Sequence, residues 1–287
     1  MLRRVLGSLA LAAPALLVAG CSLLTDFGAL TSGGTTAAPA GDGAATADGS
    51  DVDAGPALDG ATSSSDSGET TEAGAQPFVD DFNRPDSPTV GNGWIMKAPG
   101  AFALVAGTVN RVVGPSSDYR DNICYRPASE NVRDVEASVE LKITSLPPGY
   151  PQISVRIWDN TVSNQNLLDG YLLYIDGAID KAKLTRQRGG VLGPSLQAIT
   201  LSPSLNTTDK FRLRLRATGK FPVMLAAFVE RHAVSDADPT HWDIIGQASY
   251  SDSGFLHLEA AGSVGFSAGQ PETTGLYAYD NFVRTPL

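Results

Sequence analysis

Aromatic, amide and charged side chains cluster between positions 156 and 174, where they could bind a ligand. Trp158 offers an aromatic platform, and Arg156 falls on the same face of a predicted strand, two residues earlier. Sugar-binding sites combine such a ring with amide, carboxylate and guanidinium groups. We therefore expect a polysaccharide or cell-surface glycan to bind at Arg156, Trp158, Asp159, Asn160, Tyr171 and Tyr174. The alternative is that Trp158 packs beneath its own loop while the Asn and Asp side chains form turns.

The elements that must position this cluster are strands. Apolar and polar residues alternate over 135–143, 153–158 and 211–217, which is the period of a strand with one buried face. Prolines and glycines punctuate the chain between these segments, and no long amphipathic helix is predicted. About a dozen strands in roughly 200 residues predict an all-β, two-sheet antiparallel sandwich over residues 77–287.

The N-terminus has the features of a targeting signal. Arg3 and Arg4 precede an apolar run that ends in Val18-Ala19-Gly20-Cys21, typical of an export signal too short to span a membrane. The small residues before Cys21 resemble the bacterial lipobox. That resemblance implies a signal peptide over 1–20, lipidation of Cys21, and anchoring to the lipid bilayer of the cell envelope through several acyl chains. Ser22, which is not Asp, favours the outer membrane. The alternative is an ordinary secretory signal with a chance cysteine.

Residues 21–76 are predicted to be a disordered linker. Ala, Gly, Ser, Thr and Asp dominate, and residues 22–76 contain nine acidic and no basic side chains. Such a segment cannot bury enough apolar surface to offset the entropy of ordering. Residues 77–287 hold 22 acidic and 19 basic residues, so the low pI near 4.7 mainly reflects the linker. The net charge of −10 excludes a strongly basic nucleic-acid binder.

The two ends of the sandwich region resemble a known fold family. The opening Val79-Asp80-Asp81-Phe82-Asn83-Arg84 and the closing Leu276-Tyr277-Ala278-Tyr279-Asp280-Asn281-Phe282 are similar to the first and last strands of concanavalin A-like lectin/glucanase domains, including laminin-G-like modules. The resemblance covers about residues 78–285. It implies a concanavalin A-like jelly roll in which the first and last strands pair.

The same resemblance implies a structural calcium ion near those paired strands, although no cofactor is required. Hard cations bind carboxylate oxygens, which Asp80, Asp81 and Asp280 could supply. The alternative is that these side chains cap strands and bond to the backbone. The three histidines lie apart, without paired ligand spacing.

The resemblance to this family also includes enzymes, so Glu136 and Glu140 are candidate catalytic residues. Laminarinase-type enzymes of this family carry Glu-x-Asp-x-Glu on one strand, with the outer glutamates as nucleophile and acid/base. Glu136 and Glu140 match that spacing, but Ser138 replaces the central Asp, and the segment also fits a plain amphipathic strand. We therefore expect a non-catalytic glycan-binding lipoprotein. A glycan hydrolase using Glu136 and Glu140, and a structural or adhesive protein-binding lipoprotein, are the alternatives.

Two further expectations concern side chains outside the cluster. Cys124 lies in a strand-like stretch and is expected to be a buried, inert thiol. Arg212, Arg214 and Arg216 form a row on one strand face, where they could clamp an anionic polymer or pair across strands with Glu136 and Glu140.

Overall fold

The computed structural model describes residues 76–112, 122–160, 167–269 and 276–287. The predicted signal peptide, the lipidation site Cys21 and almost all of the predicted linker lie outside the described residues, as does the loop at 161–166.

Strands dominate the described residues, as the alternating pattern predicts. In chain order they are β1 (Phe78–Asp80), β2 (Ile95–Met96), β3 (Phe102–Val105), β4 (Thr108–Arg111), β5 (Ile123–Tyr125), β6 (Val135–Ile143), β7 (Pro151–Asn160), β8 (Leu167–Ile175), β9 (Lys181–Arg188), β10 (Val191–Thr200), β11 (Lys210–Thr218), β12 (Val223–His232), β13 (Asp243–Asp252), β14 (Ser263–Ala268) and β15 (Tyr277–Pro286). A single 3-10 turn, Ala128–Glu130, is the helical element among the described residues. These residues contain no helix long and apolar enough to cross a membrane.

The strands form two antiparallel sheets, which confirms the predicted sandwich. Sheet A has the order β13-β12-β11-β6-β15-β4-β3, and β1 also pairs with β15. Sheet B has the order β10-β9-β8-β7-β14-β5-β2. The predicted pairing of the terminal strands is confirmed, with Val79 opposite Val283.

Side chains from the facing sides of the two sheets form the core. On β6 the odd-numbered residues from Val135 to Ile143 are buried, while the even-numbered ones are partly or fully exposed. The same alternation holds on β11 from Phe211 to Ala217. Trp94, Phe266 and Phe282 stack within this core, with ring centroids 4.8 to 6.2 Å apart. Removal of these apolar side chains from water is the main contribution that stabilises such a fold.

The alternation of side-chain direction along β7 is interrupted at Arg156, a residue of the cleft described below. Arg156 has a positive φ of 52°, and the pairing of β7 with β8 shifts between Val155 and Trp158. Such a bulge places two residues opposite one on the neighbouring strand. Ile153 and Val155 accordingly lie in the intersheet core, whereas Ile157 joins a separate cluster with Ile123, Tyr125 and Leu168.

Candidate functional site

A cleft of about 400 Å³ lies where β7, β8 and β9 meet the segment that connects β13 to β14. Its walls combine aromatic and charged groups with backbone. The lining residues are Arg156, Trp158, Asp169, Arg188, Phe255, His257, Leu258, Glu259, Ala260 and Ala261.

Two aromatic side chains flank the cleft and remain open to solvent. Trp158 is 46% exposed, and the loop beneath which it is expected to pack in the alternative lies outside the described residues. Phe255 is 98% exposed, because it sits on a tight turn closed by the His257 N–H donating to the Gly254 carbonyl at 3.0 Å. Exposed rings of this kind mark a binding surface when polar groups converge beside them.

The connecting segment is held against sheet B by three side chains. The Arg188 guanidinium donates to the carbonyls of Leu256 and His257 at 2.9 and 3.0 Å. Arg156 Nη1 donates to the Leu258 carbonyl at 2.7 Å, and the Leu258 N–H donates to the Tyr171 hydroxyl at 2.9 Å. The cleft therefore has a wall of fixed backbone.

Polar groups on the cleft surface are partly engaged and partly available. Asp169 accepts from Arg188 Nη1 at 2.7 Å and from the Gly189 N–H at 2.6 Å. His257 Nδ1 lies 2.8 Å from the Gly254 carbonyl, while Nε2 has no hydrogen-bond partner among the described residues. The Glu259 carboxylate is 3.7 Å from that Nε2 and largely exposed. Because that Nε2 is buried, the exposed Glu259 carboxylate is the group of this pair that is open to a ligand hydroxyl.

The expected position of Arg156 is corrected by the structure. Strand alternation predicts that it shares an exposed face with Trp158, but the bulge turns it inward and leaves it 1% exposed. Its guanidinium donates to the carbonyls of Arg133, Leu258 and Gly219 at 2.7 to 2.9 Å. Arg156 forms part of the cleft lining and fixes its wall.

The other members of the predicted cluster are dispersed. Tyr171 is fully buried in the intersheet core, where burial is the main cause that raises its pKa above the ordinary phenol value. Tyr174 is partly exposed and is absent from the cleft lining. Asp159 and Asn160 end β7 opposite Leu168 and Leu167, and their side chains lie outside the described part of the structure.

Sequence reasoning missed four cleft side chains: Arg188, Phe255, His257 and Glu259. The signal that could have drawn attention to them is the Ser253-Gly254 turn directly before two apolar residues. An aromatic residue carried on a turn outside any alternating strand has no core position to occupy.

The predicted calcium site does not fit the surroundings of Asp80. Its two oxygens accept hydrogen bonds from Arg84, from Asn92 Nδ2 and from Trp94 Nε1, at 2.6 to 3.2 Å. Burial by itself would raise the pKa of Asp80, but these hydrogen bonds outweigh it and hold the pKa below the ordinary carboxyl value. A carboxylate encircled by donors has no free lone pairs directed at a cation.

The remaining two predicted calcium ligands also bond to backbone. Asp81 accepts from the Asn83 N–H at 3.0 Å, and Asp280 accepts from the Asn281 N–H at 2.9 Å. Burial raises the pKa of Asp280. Among the described residues there is no group of three His, Cys, Asp or Glu side chains arranged to hold a metal ion.

Glu136 and Glu140 lie on the outer face of sheet A, opposite the buried residues of β6, and neither lines the cleft. Glu136 accepts from Arg216 Nε at 2.8 Å and forms an ion pair with Arg214 at 3.4 Å. Glu140 accepts from Asn281 Nδ2 at 3.0 Å. The arginine row thus pairs across strands at Glu136 as expected, and Glu230 on β12 adds a partner for Arg212 and Arg214.

Cys124 is buried, as the sequence predicts. It has no solvent exposure and packs in the intersheet core. Burial raises the pKa of its thiol well above the ordinary value, so the nucleophilic thiolate is disfavoured.

Comparisons with known proteins give similarities of backbone shape. No family model matches the chain, and no curated protein matches it in sequence. Among solved structures, it is similar to the carbohydrate-binding module CBM66 from Bacillus subtilis, at 14% identity and a TM-score of 0.41, over 67% of this chain and 94% of that one. A legume lectin-like domain from Entamoeba histolytica matches at 12% identity and a TM-score of 0.43, over 68% of this chain and 90% of that one. A GH43 protein from Bacillus licheniformis matches at 18% identity and a TM-score of 0.44, over 73% of this chain and 39% of that one.

Proposed function

We propose that this chain is a glycan-binding module that binds its ligand without breaking a bond. The observation that carries the proposal is the cleft flanked by Trp158 and Phe255, with Asp169, Arg188 and His257 between them. Sugar rings have apolar C–H faces, which pack on aromatic rings, and a rim of hydroxyls, which need donors and acceptors. The cleft offers both kinds of contact over a volume that a drug-sized ligand or a short oligosaccharide would fill.

The charge balance of the cleft favours a neutral glycan. Arg188 is paired with Asp169 at 2.7 Å, and the exposed Glu259 carboxylate in the lining disfavours an anionic ligand. The Arg156 guanidinium is engaged by backbone carbonyls and is 3.4 Å from Asp134. Hydrogen bonds to hydroxyls, rather than ion pairs to an acidic polymer, are the interactions that this surface supplies.

The test measures binding of the full chain to a panel of immobilised neutral polysaccharides and oligosaccharides, with released reducing sugar assayed in parallel. We expect binding without release, and we expect Trp158→Ala to lower the affinity at least ten-fold, about 1.4 kcal/mol. Trp242→Ala is the matched control, because Trp242 stacks on Arg212, which lies on the outer face of sheet A. Equal loss in both variants, or binding to no glycan in the panel, would overturn the proposal.

We also propose that the module is held at the bacterial cell envelope by acylated Cys21. The lipobox resemblance at Val18-Ala19-Gly20-Cys21 supports this anchor, and the acidic stretch that follows suits a tether. The chain should partition with membranes in a bacterial host and become soluble in Cys21→Ser. Membrane association that survives this substitution would overturn the anchor and leave the glycan proposal standing.

A further inference from the structure

A second cavity, smaller than the cleft, also has Trp158 in its lining. It measures about 90 Å³ and is bordered by β5, the 3-10 turn and β7. Its apolar walls are Tyr125, Ala128, Ile157 and Trp158 itself, and Asn131 and Ser263 contribute polar atoms.

The bulge at Arg156 creates this pocket. If alternation continued through β7, Ile157 would face the intersheet core like Ile153 and Val155. The extra residue instead places Ile157 in the cluster with Tyr125, so that both side chains form an apolar wall beside the indole.

The pocket presents no unpaired charge. Arg126 borders it, but the guanidinium is paired with Glu130 at 2.6 Å, donates to the Asn92 carbonyl at 2.6 Å and stacks on Phe78 at 3.9 Å. Ser263 Oγ donates to the Arg126 carbonyl at 2.5 Å. A charged substituent would therefore enter this pocket without compensation for its lost hydration.

Asn131, a lining residue of the pocket, carries a buried acceptor that lacks a donor. Asn131 Oδ1 is buried and has no hydrogen-bond partner in the described part of the chain. Buried acceptors in folded proteins are normally paired, so a group that brings an N–H to this oxygen satisfies an existing deficit.

We propose that this pocket takes the 2-acetamido group of an N-acetylated sugar whose ring stacks on Trp158. The volume equals the liquid share of about three waters, at roughly 30 Å³ each, which suits a group of four heavy atoms. The acetamido methyl packs on Tyr125 and Ile157, and its N–H approaches Asn131, whose buried Oδ1 accepts it after a rotation of that side chain. A hydroxyl at the same position leaves the apolar walls uncovered, and a carboxylate brings an unpaired charge.

This inference rests on the proposed glycan binding, because Trp158 is the wall shared by the pocket and the cleft. It adds a preference for N-acetylated sugars over their 2-hydroxyl counterparts, which the cleft alone does not supply. Paired probes that differ at C2 separate the two ideas: N,N′,N″-triacetylchitotriose against cellotriose, and N-acetylgalactosamine against galactose.

The experiment measures the affinity of the full chain for each probe by calorimetry or ligand-observed NMR. We expect the acetylated member of at least one pair to bind ten-fold or more tightly than its hydroxyl counterpart. Ala128→Leu fills the pocket from the exposed 3-10 turn and should remove that preference, whereas Ser129→Leu, on the same turn but outside the pocket lining, should keep it. Asn131→Leu is a second variant of similar shape but larger volume that removes the acceptor, and it tests the proposal if Ala128→Leu fails to fold.

The outcomes are distinguishable. Equal or tighter binding of the hydroxyl sugars, with loss of affinity in Trp158→Ala, overturns the acetamido pocket and leaves the glycan module in place. A preference for acetylated sugars that survives both Ala128→Leu and Asn131→Leu assigns the selectivity elsewhere and also overturns the pocket. Failure of all four probes and of the polysaccharide panel overturns both proposals.

Discussion

The Tyr171 hydroxyl accepts a hydrogen bond from the Leu258 N–H at 2.9 Å and donates to Asp252 Oδ2 at 2.8 Å. Asp252 in turn pairs with Arg186 at 2.7 Å. A core tyrosine on β8 therefore holds the end of β13 and the start of the cleft wall in register. The predicted sugar-contacting role of Tyr171 is replaced by a positioning role, one layer beneath the surface that a ligand would touch.

Tyr171→Phe tests this positioning role. Removing the hydroxyl leaves the buried Leu258 N–H without its acceptor, and we expect the free energy of unfolding to fall by about 1–3 kcal/mol. Glycan affinity should fall as well, because Leu258 lines the cleft. Chemical denaturation and calorimetry measure the two effects. Tyr174→Phe, at a partly exposed tyrosine absent from the cleft lining, should change neither, and an unchanged affinity in Tyr171→Phe would refute the link between core and cleft.

Phe255→Ala separates binding from folding. Because this ring is 98% exposed, its removal should change the free energy of unfolding by no more than about 0.5 kcal/mol. If the ring is a sugar platform, affinity should nevertheless fall several-fold. Phe221→Ala is a useful comparison, since Phe221 is 65% exposed and contacts His257 without lining the cleft. A Phe255→Ala protein that binds like the parent would remove Phe255 from the site.

The strands could be predicted because their signal is local. Alternation over 135–143 and 211–217 needs only neighbouring residues to define a buried face. Asp176-Gly177 and Gly189-Gly190, which are typical of turns, bound the segment that forms β9. The pairing of the first strand with the last followed from the resemblance of the two terminal segments, and the structure confirms it.

Of the cleft lining, only Trp158 and Arg156 belong to the cluster predicted from the sequence, because the other lining residues are brought together by contacts between distant residues. The bulge at Arg156 is stabilised by hydrogen bonds from its guanidinium to carbonyls 23 to 102 positions away, so no local sequence pattern predicts it. Regular alternation across that bulge predicts an exposed Arg156, whereas the structure buries it within the cleft lining. Phe255 and His257 lie on a turn whose position is set by Arg188 and Tyr171, 69 and 87 residues earlier along the chain.

Asp80 should make stability depend on pH in the acid range. Its pKa is lowered in the folded protein, so its stabilising contribution is fully present above the ordinary carboxyl pKa of 3.8 and is lost as pH falls through the lower folded-state value. Asp80→Asn places an amide N–H₂ among the donors of Arg84, Asn92 and Trp94. We expect this variant to lose about 3–5 kcal/mol at neutral pH and to show a weaker loss of stability on acidification.

Thermal unfolding of the parent and of Asp80→Asn between pH 7 and pH 2.5 measures both expectations. Asp81→Asn is the matched control, because Asp81 is an exposed neighbour that bonds to the Asn83 N–H alone in the described structure. Stabilisation of the parent by added calcium, abolished in Asp80→Asn, would contradict the finding that the Asp80 oxygens are filled by donors.

Glu136→Gln tests the absence of catalysis at the paired glutamates. Glu136 is half-buried against Arg214 and Arg216, in ion pairs of the kind that contribute about 0–1 kcal/mol, so the variant should fold and bind glycans like the parent. Neither protein should release reducing sugar from a ligand that binds in the cleft. Glu140→Gln gives the same expectation, since Glu140 is bonded to Asn281 on the same outer face of sheet A. Sugar release by the parent that disappears in either variant would transfer the functional site from the Trp158 cleft to sheet A and make the protein a hydrolase.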